Sequence, residues 1–115
     1  MRKRVITVPK DKIAEEALDY DKAEKEQLIE LTIREEDFLF LYQSGIIELI
    51  NREGDANVDD FEDDSVTGKE NLSKVMNALS LKGNLGNNTQ HQLIQNLSRL
   101  FAEASDRNTG VYFYF

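Results

Sequence analysis

Val111-Tyr112-Phe113-Tyr114-Phe115 is the stretch on which the fold turns. Each residue is β-branched or aromatic, a composition that suits a pleated, half-buried surface. The segment therefore reads as a strand with Val111, Phe113 and Phe115 on one side and the two tyrosines on the other. It is too apolar to stand as an open edge, which predicts that it is paired centrally or covered. Immediately before it, Leu93, Ile94, Leu97, Leu100, Phe101 and Ala104 recur at helical spacing. They predict a helix over about 89–105 that ends at Asn108-Thr109-Gly110.

At the other end of the sequence, Arg4 to Val8 is a β-branched run closed by Pro9, a second strand that leads into a helix. Ile13, Ala14, Ala17 and Leu18 fall on one side of that helix, over about 10–19, and Tyr20-Asp21 interrupts it. Ala23 to Leu28 has helical composition, whereas Ile29, Leu31 and Ile33 alternate as in a strand, so the expectation is helix first and strand after. Arg34-Glu35-Glu36-Asp37 places acids where a helix macrodipole favours them, with Phe38, Leu41 and Tyr42 following at helical spacing. Ser44-Gly45 breaks that helix, and Ile46, Ile47 and Ile50 begin another, with Gly54 expected to take a left-handed C-cap. Thr67-Gly68-Lys69-Glu70 matches a capping box ahead of a stripe of Leu72, Val75, Met76 and Leu79. Lys82 to Asn88 reads as a loop. Few strands and several helices give an α+β domain whose terminal strands share one small sheet, with the long helices covering a face.

The 115 residues suit one domain able to bury roughly two thirds of its unfolded surface. With 40% hydrophobic and 31% charged residues the chain is expected to fold in solution. No apolar run reaches the roughly 18 residues that cross a bilayer, and Met1 to Arg4 leads into no signal-peptide core, so the expected setting is cytoplasmic, with no membrane partner. The absence of cysteine removes disulfides, thiolate metal sites and cysteine nucleophiles together. Net charge is −8, yet Arg2, Lys3, Arg4, Lys10 and Lys12 against Asp11 give the first twelve residues +4, leaving −12 on the rest. Such a body repels nucleic acid. The basic start reads as a solubilising edge to the first strand.

Glu53 to Asp64 contrasts with everything around it, with seven carboxylates and no basic residue. Self-repulsion of that density weakens a fold, so a cation or cationic partner is expected to offset it. A calcium site is one candidate. Asp55, Asn57 and Asp59 imitate the first, third and fifth positions of an EF-hand, but Asp60 stands where Gly is required and Val66 where a bidentate Glu is required. No cofactor or dedicated metal site is expected. Val58 and Phe61, set among the acids, suggest an apolar anchor and a fixed shape. Asp55, Asp59, Asp60, Phe61, Glu62, Asp63 and Asp64 are accordingly the candidate partner-binding residues, with charge to steer a basic surface and a ring to grip it. A solvated loop that maintains solubility accounts for the same residues equally well. On either reading, Asn at positions 59, 60, 63 and 64 is expected to preserve or slightly raise thermal stability.

Catalysis finds little support. His91 is the sole histidine, and Ser98, its best-aligned serine, lies on the order of 10 Å along the helix, beyond hydrogen-bond reach. The glycines before the last helix lack the lysine and spacing of a P-loop, and they read as a connector.

The segment Phe38-Leu39-Phe40-Leu41-Tyr42-Gln43-Ser44-Gly45-Ile46-Ile47-Glu48-Leu49-Ile50-Asn51, followed by Val58 to Asp63 and by Glu70-Asn71-Leu72, resembles small acidic immunity proteins of bacterial polymorphic and contact-dependent growth inhibition toxin systems. The resemblance implies a cytoplasmic, non-enzymatic protein that binds and neutralises a cognate basic toxin domain, often a nuclease. A metal-responsive or phage-type regulatory binding protein is the alternative. The sequence does not set the oligomeric state.

Overall fold

The last strand is interior, the first of the two outcomes, paired centrally or covered, that its composition predicts. In the computed structural model, which describes residues 4–82 and 86–115, four antiparallel strands form one sheet: β1 (Arg4–Pro9), β2 (Leu28–Ile33), β3 (Asp64–Thr67) and β4 (Gly110–Tyr114). Their order is β2-β1-β4-β3, so the first and last strands are the two central ones. The register pairs Ile6 with Phe113 and with Leu31, and Val66 with Val111. Because side chains alternate, Ile6, Val8, Val66, Val111 and Phe113 share one face, and all are buried.

Helices cover that face. They are α2 (Glu35–Gln43), α3 (Ile46–Gly54), α4 (Lys69–Ser80) and α5 (Asn88–Arg107). Leu93, Ile94, Leu97, Leu100, Phe101 and Ala104 of α5 are all buried, as are Leu72, Val75 and Leu79 of α4. The ring of Phe113 lies 6.2 Å from that of Phe101, tilted, and 5.6 Å from that of Phe115, edge-on, arrangements that aromatic quadrupoles favour. One apolar cluster joins the sheet to these four helices. The opposite face carries Tyr112, whose hydroxyl donates to Glu15 of α1 (Lys12–Asp19) at 2.9 Å, so α1 rests on this second face.

Several expectations need correction. Ile13 was expected on the packed side of α1 but is 74% exposed, and the helix buries only Ala14 fully. Between Ala23 and Leu28 only a single 3-10 turn forms, Lys25–Gln27, because the alternating strand reaches back to Leu28 and pairs it with Pro9. Gly54 ends α3 in helical conformation, and Asp55 takes the left-handed position at φ 55°. Glycine is needed at 54 for a different reason: a Cβ there would sit 2.7 Å from Cγ2 of Val66. The capping box at Thr67 does not form. Thr67 closes β3 against Gly110, and Gly68 precedes α4 with no side-chain cap. An Asn–Gln pair caps α5 instead, with Asn87 Oδ1 accepting from the Gln90 amide and Gln90 Oε1 from the Asn87 amide. Three residues of the expected Lys82–Asn88 loop, 83–85, lie outside the described residues, as do Arg2 and Lys3.

Candidate functional site

The acidic stretch is less of a loop than its composition implies. Glu53 is helical and Asp64 begins β3, which leaves Asp55–Asp63 as the connection. Its entry is pinned by Asn51, whose side-chain amide donates to the Val58 carbonyl at 2.8 Å and whose Oδ1 accepts the Val58 amide at 2.7 Å. Val58 itself is buried in the core with Ala56. Asp64 spans the exit, its two oxygens accepting the amides of Asn57 and Ser65. Between these points Asp59 to Glu62 closes a turn through a 3.1 Å backbone hydrogen bond, and the Asp59 carboxylate accepts the Asp60 amide. Phe61 occupies the tip at φ 60°, a conformation that disfavours bulky residues, and its side chain is 69% exposed. The expected apolar anchor is therefore Val58, while Phe61 faces outward.

The reading of the basic start as a solvated edge fails for Arg4, which is 5% exposed. Its guanidinium donates to both carboxylate oxygens of Glu35 at 3.1 and 3.2 Å, to Asp60 Oδ1 at 2.7 Å and to the Phe115 main-chain oxygen at 3.2 Å. It also stacks 3.8 Å from the centroid of Phe38. The Glu35 hydrogen bonds, together with the hydrogen bond and charge of Asp60, raise its pKa further, against the opposing cost of burial. One cation thus latches the acidic connection to β1, the start of α2 and the end of the sequence. Asp60 belongs to this latch and Asp64 to the exit clamp, so within the four-position Asn substitution expected to preserve or slightly raise stability these two weaken hydrogen bonds as well as repulsion.

Asp55, Asp59, Glu62 and Asp63 are exposed along the connection. Beside Asp59 lies a cleft of about 240 Å³ lined by Tyr42, Ile47, Glu48, Val58 and Asp59. Tyr42, read from its spacing as a packed residue of α2, is 53% exposed and forms one wall, its ring 5.8 Å from that of Phe38. Ile47 and Val58 give an apolar floor, and Glu48 and Asp59 supply charge. A lysine or arginine side chain matches this lining, its stem on the two aliphatic residues and its cation against the ring and carboxylates. Helical spacing alone hid Tyr42 and Glu48 as site residues, because their role depends on Val58 folding back against α3.

Elsewhere Asp63 acts on β4. Burial first, and then the charges of Asp63, Asp21 and Asp19, push the Tyr114 hydroxyl up to about 12. Burial and the Glu15 hydrogen bond raise Tyr112 as well. His91 is half-buried in the first turn and a half of α5, and its Nε2 is enclosed without a hydrogen-bond partner among the described residues. Among the described residues no group of three or more His, Asp or Glu is arranged to hold a metal ion, and no helix is long and apolar enough to cross a membrane. The chain matches no family model, no curated protein and no solved structure.

Proposed function

We propose that this chain is a non-catalytic, cytoplasmic protein of inhibitor type that binds a basic protein domain, a cognate toxin, across the Asp55–Asp63 connection and neutralises it. One observation carries the reading: exposed carboxylates and an outward aromatic are held on a segment clamped at entry by Asn51, at mid-turn by Arg4 and at exit by Asp64. A surface fixed in this way loses little conformational entropy on binding, so its charge goes into steering and its ring into retention. The adjoining cleft offers a seat for a basic side chain from the partner. Likeness to the immunity proteins supports the same reading.

The test is capture of partners from the source cell by the wild-type protein and by the triple variant Asp59→Asn, Glu62→Gln, Asp63→Asn, which leaves Asp60 and Asp64 in their clamps. The wild type is expected to retain a basic protein and to abolish its activity at stoichiometric amounts. Its on-rate should fall steeply with salt, while the variant binds slowly and responds little. Equal on-rates and equal salt dependence for the two proteins would reduce the acids to a solubilising surface and overturn the proposal.

A further inference from the structure

The sheet has two edges, and they are defended unequally. β3 is four residues long and begins at Asp64, beside the acidic connection, which deters strand addition. β2 is six residues long, and one charged residue, Glu30, stands near its middle. The Lys10 amide donates to the Gln27 carbonyl at 2.9 Å. In the antiparallel register this places Ile29, Leu31 and Ile33 as the residues bonded to β1, so the main-chain groups of Leu28, Glu30 and Thr32 point to the open side. The Leu28 amide is taken by Lys25 and the Arg34 amide by Asp37. Among the described residues the amides of Glu30 and Thr32 have no acceptor, a pair of donors two residues apart flanked by outward carbonyls.

A groove of about 470 Å³ adjoins this edge, lined among others by Leu31, Thr32, Gln92 and Leu93. Leu31 and Thr32 project to opposite faces of the strand, and the groove touches both residues beside its free edge. Its far wall is α5, where Asn88, Gln92 and Asn96 also line the groove, four residues apart on one helical stripe, with Gln92 donating to Asn96 at 2.9 Å. An open strand facing a helix across a groove with an apolar floor is the arrangement in which an extended peptide adds as a strand.

We propose that the β2 edge is a second interaction surface, which takes an extended peptide segment of a partner protein with a basic side chain opposite Glu30. Charge selects this occupant. A second copy centred on Glu30 sets two carboxylates directly across from each other, and any other register still joins two bodies of net charge −8. A lysine or arginine on the added strand complements Glu30, while the neighbouring side chains of that strand enter the groove above Leu31 and Leu93.

The probe is a seven-residue peptide of alternating threonine and valine with a central lysine on the threonine face, compared with the same peptide carrying glutamate there. Amide exchange of the 15N-labelled protein is the readout. Without peptide, Glu30 and Thr32 exchange fast and Ile29, Leu31 and Ile33 slowly. The lysine peptide is expected to slow Glu30 and Thr32 by on the order of tenfold or more. The glutamate peptide should bind roughly twofold to fivefold more weakly, and Glu30→Lys should reverse that preference. Thr32→Pro removes one edge donor and should abolish binding, while Glu30→Lys, which leaves the backbone intact, keeps the test sound if the proline disturbs the fold. The acidic triple variant should bind the lysine peptide as the wild type does, which separates this surface from the proposed inhibitor site. Unchanged exchange at Glu30 and Thr32, binding that moves to the acidic connection, or protection that grows with protein concentration in the absence of peptide would each overturn the proposal.

Discussion

Residues 88–115 and residues 53–67 both combine polar exteriors with buried apolar residues, but they are held in different ways. In the first, α5 and β4 are specified by periodic apolar positions that meet in one core, with Phe101, Phe113 and Phe115 buried. In the second, the backbone is shaped by individual polar contacts, from Asn51 to Val58, Arg4 to Asp60 and Asp64 to Asn57. Apolar packing draws on many replaceable contacts, whereas a polar clamp depends on one donor and one acceptor. The two regions should therefore fail differently.

The largest effect is expected at Phe101→Ala, which should cost about 3–5 kcal/mol in urea denaturation, through lost burial and a residual cavity. A smaller loss would mean that α5 can collapse onto β4. Next comes Arg4→Met, which keeps the stem but leaves Glu35 and Asp60 without their cation. With both carboxylates partly solvated, about 2 kcal/mol is expected, and Asp60→Asn alone about 1 kcal/mol. If Asp60→Asn is instead neutral or stabilising, repulsion among the acids outweighs the latch, and the contrast between the regions disappears.

Tyr114 links the two regions through Asp63 and gives a test by pH. Its hydroxyl is neutral in the fold and titrates at about 12 instead of 10, so its contribution is complete below pH 10 and is lost as pH rises toward 12. Tyr112 is shifted in the same direction. Stability followed by thermal melting from pH 9 to 12 should fall more steeply for the wild type than for the Tyr112→Phe, Tyr114→Phe double variant. Parallel curves would show that other groups control the alkaline limb. The smallest stability effects belong to Asp59→Asn and Glu62→Gln, expected within about 0.5 kcal/mol. Phe61→Gly relieves a left-handed aromatic and should leave stability unchanged or raise it by up to about 1 kcal/mol, while weakening partner binding. A clear loss of stability there would make Phe61 part of the fold.

The same contrast explains what could be read from the residues. The apolar stripe of α5 and the alternation of β4 are local patterns, so the protected position of β4 and the α+β class followed from them, whereas the central place of β1 did not. β3 did not, because Asp64-Ser65-Val66-Thr67 offers only Val66 to the core and its pairing is specified by β4, far along the sequence. Arg4 was equally opaque: nothing local distinguishes a latching arginine from a solvated one. Near the candidate site, the anchoring role of Val58 was legible from its setting among the acids, but the same setting gave Phe61 that role and it is exposed. Tyr42, Ile47 and Glu48 were not legible, since only tertiary folding brings α2 and α3 beside Asp59.

The central position of β1 and β4 has a consequence for the order of folding. The sheet's middle seam joins groups as far apart in sequence as Arg4 and the Phe115 oxygen, separated by 111 residues. Closing so long a loop sacrifices chain entropy before any central contact forms, so this seam is expected to govern the folding rate, with α4 and α5 assembling earlier from nearer neighbours. A chain permuted so that β4 runs through a short turn directly into β1 would turn the most distant pairing of the molecule into a hairpin. It should fold faster to the same sheet.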